Sequence, residues 1–85
     1  MYIEFQLPRK DFNNVVTQLG RESLLNELKQ WSKRHNLDYY SIKTDYIYGD
    51  NKERVYLPND RAYELFLISW SPSQEYFSTY RLRRS

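Results

Sequence analysis

Apolar and polar residues alternate strictly near the start of the chain. Ile3, Phe5 and Leu7 fall on one side, Tyr2, Glu4 and Gln6 on the other. Period two with β-branched and aromatic residues predicts a half-buried strand. Pro8 has no N–H to give a strand ladder and ends it. The period then lengthens. Phe12, Val15, Val16 and Leu19 share one face of a short helix, with Gly20 as its natural terminator. Leu24, Leu25, Leu28, Trp31 and His35 form a second stripe, out of phase with the first across Gly20, so a kink or a pair of helices is expected there. Lys33, Arg34 and His35 complement the negative end of the helix dipole, and Asn36 can adopt the left-handed cap conformation.

Period two returns from Tyr39 to Tyr48 and predicts a long strand. Its more apolar set is Tyr40, Ile42, Tyr46 and Tyr48, expected to face inward unless a bulge exchanges the sides. Gly49-Asp50-Asn51 is turn chemistry, and Arg54 to Leu57 predicts a short strand that closes a hairpin. Beyond Pro58, Asn59 or Asp60 can cap a helix carrying Ala62, Leu65, Phe66 and Ser69, with Trp70 on the same side. A strand that sets Glu64, Phe66, Ile68 and Trp70 against Tyr63, Leu65 and Leu67 fits the same run. The length of the run and the cap favour the helix. Ser71-Pro72 closes this element, and Tyr76 to Leu82 predicts a last strand.

Strand, helix, strand, strand, helix, strand is the order of the split βαβ, or ferredoxin-like, arrangement. The expectation is therefore one α+β domain over residues 1–85, a small antiparallel sheet with helices on one face and the other face open. Ile3, Phe5, Leu7 and Val55 should meet the helices. Tyr2, Glu4, Gln6, Arg54 and Tyr56 should point away from them.

The chain has 85 residues, which limits it to one thin core and leaves no mass for a deep cleft. Cysteine is absent. This removes disulfides, thiolate chemistry and cysteine metal sites, and points to a reducing compartment, here expected to be the cytoplasm. No basic region precedes a long apolar one in the manner of a signal peptide. The longest apolar run, Leu65 to Ile68, falls far short of the roughly 20 residues that span a bilayer, so no membrane partner is expected. Net charge is +2, and the charges are well mixed except at the end, where Arg81, Arg83 and Arg84 follow with no acid after Glu75. Nine tyrosines and 18% aromatics suit half-buried strands and interfaces, because a tyrosine buries its ring while its hydroxyl stays wet.

Catalytic chemistry is sparse. His35 is the single histidine, sits where a helix-terminal cation would, and has no nucleophile elbow to serve. One histidine and scattered carboxylates do not make a zinc set, and Asp45, Asp50 and Glu53 lack calcium-loop spacing. Gly20 and Gly49 cannot form a phosphate-cradling loop. Glu4 and Glu64 read as solvated surface acids, Trp31 and Trp70 as core. No enzyme activity and no cofactor are expected.

Two features remain. Segment 76–85 interleaves Tyr76, Phe77 and Tyr80 with Arg81, Arg83 and Arg84. That mixture suits phosphate contact and base stacking, suits an acidic protein surface equally well, and is also what a charged strand end looks like. The second feature is the open sheet face with Tyr2, Arg54 and Tyr56. Segment 54–70, RVYLPNDRAYELFLISW, resembles a pattern in small proteins of tailed bacteriophages, a short strand leading through an acidic residue and alanine to a helix with apolar and aromatic residues at its end. The resemblance covers about a fifth of the chain. It implies a compact phage-encoded accessory protein that binds and redirects or inhibits a host machine such as a restriction, CRISPR or transcription system. The same segment is similar to the third strand and second helix of an RNA-recognition domain, where Tyr2 and Tyr56 would stand in for base-stacking aromatics, although no glycine accompanies them here.

The expected function is thus a non-catalytic protein-binding module that occludes a site on a host protein or protein complex through Tyr2, Arg54, Tyr56, Tyr80, Arg81 and Arg83. The alternative is nucleic-acid binding through the C-terminal segment and the open face. An exposed edge strand could also pair with its twin in a homodimer.

Overall fold

The computed structural model describes residues 1–8 and 14–84, without the side chains of residues 14–19. The predicted stripe of Phe12, Val15, Val16 and Leu19 therefore lies outside the described side chains. The elements are β1 (Tyr2–Gln6), α1 (Asn14–Arg34), β2 (Lys43–Ile47), β3 (Lys52–Tyr56), α2 (Asp60–Ser69) and β4 (Tyr80–Arg83), with short 3₁₀ turns at Tyr39–Ser41 and Glu75–Ser78. The strands form one four-stranded sheet in the order β2-β3-β1-β4, and every neighbouring pair is antiparallel. This is a small α+β fold with two helices.

Alternation in β1 does what its sequence predicts. Ile3 and Phe5 are fully buried on the inner face, and Val55 joins them from β3. Both helices pack on that same inner face. Leu24, Leu28 and Trp31 come from α1, Ala62, Tyr63 and Phe66 from α2. Phe5 is the hub, with ring centroids 6.2 Å from Phe66, 6.3 Å from Phe77 and 5.9 Å from Tyr80. Trp31 is fully buried and Trp70 packs half-buried against the core, and both N–H groups are satisfied: Trp31 donates to Ser69 Oγ at 2.9 Å and Trp70 to the Phe77 carbonyl at 2.8 Å. A buried indole without such an acceptor would be destabilised by the loss of hydration.

Capping residues behave as their chemistry requires. Asn59 Oδ1 accepts from the Ala62 N–H at 2.9 Å and starts α2, so the helical reading of residues 60–70 holds. Asn36, at φ 56°, ends α1. Leu37 N–H reaches the Ser32 carbonyl at 2.8 Å and Asn36 N–H the Lys33 carbonyl at 3.4 Å, the paired bonds of a Schellman cap.

Four expectations are corrected. Gly20 does not terminate or divide the helix, because α1 runs through it. A Cβ there would lie 3.2 Å from Pro8 Cδ, so glycine lets α1 pass close over the end of β1. The strand predicted from Tyr39 begins only at Lys43. Asp38 accepts from the Tyr40 N–H at 3.0 Å through its side chain and from Ser41, which turns the backbone into a 3₁₀ helix. Tyr40 and Tyr48, expected to point inward, are 89% and 88% exposed, while Ile42 and Tyr46 do pack against the core. The last strand likewise starts at Tyr80, after the second 3₁₀ turn, and not at Tyr76.

Candidate binding face

Cross-strand partners share a face of the sheet, so the register assembles the outer face row by row. Lys43 lies opposite Tyr56 and Tyr2 opposite Arg83. With Ile3 opposite Val55, Tyr2 and Tyr56 adjoin, and their ring centroids are 5.5 Å apart at 46°. The first row therefore reads Lys43, Tyr56, Tyr2, Arg83 across all four strands. The second reads Asp45, Arg54, Glu4, Arg81. The third carries Ile47, Lys52 and Gln6. Among the described residues no helix covers this face.

Five of the six candidate residues, Tyr2, Arg54, Tyr56, Arg81 and Arg83, thus come together on one surface. Tyr80 does not. Its position in β4 faces inward, where its ring lies 5.1 Å from Phe66 and helps close the core. The alternation that exposes Arg81 and Arg83 requires this.

Glu4 organises the centre of the face: it points outward as expected, but it is not the solvated surface acid that the sequence suggests. It is 7% exposed. Arg83 Nε donates to its Oε2 at 3.0 Å, and Lys52 Nζ stands 3.7 Å from its Oε1. Burial pushes the carboxyl up, but the Arg83 hydrogen bond and the charges of Lys52, Arg83 and Arg54 together outweigh it, and Glu4 titrates below the usual carboxylate range. It is therefore held as a carboxylate that neutralises part of the cationic surround. Arg54 lies over the Tyr2 ring at 4.8 Å, a cation–π contact. Its Nε is buried and has no hydrogen-bond acceptor among the described residues. A depression of about 280 Å³ opens beside Glu4, lined by Gln6, Lys52, Thr79, Tyr80 and Arg81. Lys43 and Lys52 also belong to the face. Only the register reveals them, because each reads alone as an ordinary surface lysine.

Counted over these rows, Lys43, Lys52, Arg54, Arg81 and Arg83 stand against Asp45 and Glu4. The face is strongly cationic, although the whole chain carries only +2. Groups that could have made a reaction centre are dispersed. Glu4 is on the outer face, whereas Glu64 is exposed on α2 and His35 rests against Trp31 at 5.7 Å on the helical side. Among the described residues no three of His, Cys, Asp and Glu are grouped to hold a metal ion, and no helix is long and apolar enough to cross a membrane.

Comparison with protein-family models, with curated proteins and with solved structures finds no match to this chain.

Proposed function

We propose that this chain is a non-catalytic binding module whose outer sheet face covers an anionic site on another macromolecule. The observation that carries the reading is the convergence of two adjacent tyrosines and five cations on one surface that neither helix covers. Aromatic rings and arginines are the side chains that dominate binding energy at interfaces, and a cationic surface steers and selects anionic partners. The ferredoxin-like reading of the architecture belongs to the same proposal. The element order, together with the sheet order β2-β3-β1-β4, supports it, and an open outer face is what that arrangement leaves. A host protein complex as the occupant rests on segment 54–70 alone. There Val55, Leu57, Ala62, Tyr63 and Phe66 are core residues, so the core already requires the apolar spacing of that segment.

The test is charge reversal at the edges of the face, in Lys43→Glu with Arg81→Glu. Both side chains are exposed. Arg83 is the wrong choice, because its Nε holds Glu4 and its reversal would strand a buried carboxylate. The double variant is expected to leave an immobilised polyanion such as heparin at clearly lower salt than the parent, with an unchanged thermal midpoint. Lys29→Glu with Lys33→Glu, the same charge change on exposed positions of α1, is the control. An equal drop in that control would show net charge at work and remove the outer face as the site.

A further inference from the structure

We infer that the occupant of the outer face is single-stranded nucleic acid, with bases placed at the Tyr2–Tyr56 pair and phosphates against the flanking cations. The inference rests on the binding-face reading above and names its partner. Its first support is the order of the first row. Neighbouring strands lie about 4.8 Å apart, so Lys43, Tyr56, Tyr2 and Arg83 span roughly 15 Å with two rings in the middle and a cation at each end. A single strand presents the complementary order, with flat bases bordered by phosphates. Aromatic platforms within a positively charged groove are how proteins hold such strands without reading every base.

The second support is Arg54. Its planar guanidinium lies over Tyr2 at 4.8 Å, and guanidinium planes stack bases much as aromatic rings do. Among the described residues its Nε lacks an acceptor, which a phosphate or base oxygen would supply once the side chain rotates to expose it. The third support is the treatment of negative charge. Glu4 is buried between Arg83 and Lys52, so it repels an incoming polyanion far less than a free surface acid would. A duplex would satisfy the cations but keeps its base faces stacked inside, leaving the tyrosine pair without a role. An acidic protein surface would also satisfy the cations, and the experiment separates it from a nucleic acid.

Binding is measured by fluorescence anisotropy on labelled oligo-dT and oligo-U of about ten nucleotides, with a duplex of equal length and inorganic polyphosphate as comparison probes. Single strands are expected to bind at micromolar protein. With about three phosphate contacts the affinity should fall about 20-fold between 50 mM and 200 mM salt. Tyr56→Leu, and separately Tyr2→Leu, should each weaken single-strand binding about tenfold while Tyr56→Phe retains it. Polyphosphate binding should be indifferent to all three changes. The inference is overturned if single strands bind no better than duplex or polyphosphate, or if both leucine variants bind as the parent does. In that event a heparin retention still sensitive to Lys43→Glu with Arg81→Glu leaves the binding face standing, with an acidic protein surface as its occupant. Loss of that sensitivity as well would end both readings together.

Discussion

Two glutamates occupy opposite faces of one sheet, and their surroundings differ in kind. Glu53 points inward and is fully buried beneath α1. Arg21 grips it through two bonds, Nε to Oε2 at 3.0 Å and an Nη to Oε1 at 3.3 Å, and itself lies over the Tyr46 ring at 4.8 Å. Glu4 points outward and is nearly as buried, and its partners Lys52 and Arg83, about as exposed as Arg21, belong to a surface that α1 and α2 leave open. The same side chain thus serves two ends. Inside, a closed bidentate pair ties α1 to β3 and contributes to stability. Outside, an open triad sets the spacing and the net charge of a face. A buried carboxylate in a small domain is therefore to be read by what its cations do next, not by its burial.

Removing partners one at a time separates the two roles. The largest effect is expected for Arg21→Met, which leaves the Glu53 carboxyl without its partner in the interior. Stability should fall by about 3 kcal/mol, lowering the thermal midpoint by more than about 10 °C. Adding Glu53→Met to that variant should recover most of the loss, since exchanging a buried pair for packed apolar side chains is close to neutral. If the double variant remains as unstable as Arg21→Met, the partnerless carboxyl was not what destabilised it. Glu4→Gln should cost less, on the order of 1 kcal/mol at neutral pH, and its signature lies in acid. The folded carboxyl titrates below its ordinary value near 4.5. Its contribution is therefore complete above that pH and is lost as pH falls through the depressed value. Denaturant titrations should show the parent losing stability more steeply than Glu4→Gln below pH 4.5, and equal slopes would remove Glu4 from that account. The smallest effect belongs to Lys52→Ala, within about 0.5 kcal/mol, because the pair is long and its ammonium is solvated.

Much of the fold is legible in the sequence where one residue type has one physical use. Ile3-x-Phe5-x-Leu7 can only be a half-buried strand, and Asn59 has the side chain that a helix N-terminus requires. Asn36 at a left-handed position is of the same kind. Failures fall where local and tertiary uses compete. The alternating tyrosines after Asp38 suit a strand, yet the Asp38 side chain captures the Tyr40 N–H first. Gly20 has the profile of a terminator, and its actual use, the approach of Pro8, depends on a segment distant in sequence. The face is legible in part for the same reason. Alternation alone sends Tyr2, Glu4, Arg54 and Tyr56 outward. The ion pairs of Glu4 and the places of Lys43 and Lys52 enter only when the register puts β1 between β3 and β4, and Tyr80 leaves once β4 is known to start there.

Asn51 shows how one turn residue locks that register. At φ 52° it is buried, its Nδ2 donates to the Leu7 carbonyl at 3.2 Å, and its Oδ1 accepts from the Tyr46 hydroxyl at 2.8 Å. Hairpin turn, edge strand and the end of the central strand are therefore fastened at a single point, and a slip of one residue would break both bonds.

The position of β1 at the centre of the sheet bears on how the chain reaches this structure. One side of β1 is completed by Val55 and its neighbours, the other by Leu82 and its neighbours. Both closures join residues far apart along the chain, a topology that slows folding because much backbone freedom is lost before any pairing compensates. Until residues 80–83 arrive, β1 keeps one edge unsatisfied and Phe5 lacks the cover of Tyr80. Ribosome-bound chains that end short of residue 80 would thus carry an open strand edge beside uncovered aromatic surface, the combination that chaperones recognise and that favours aggregation.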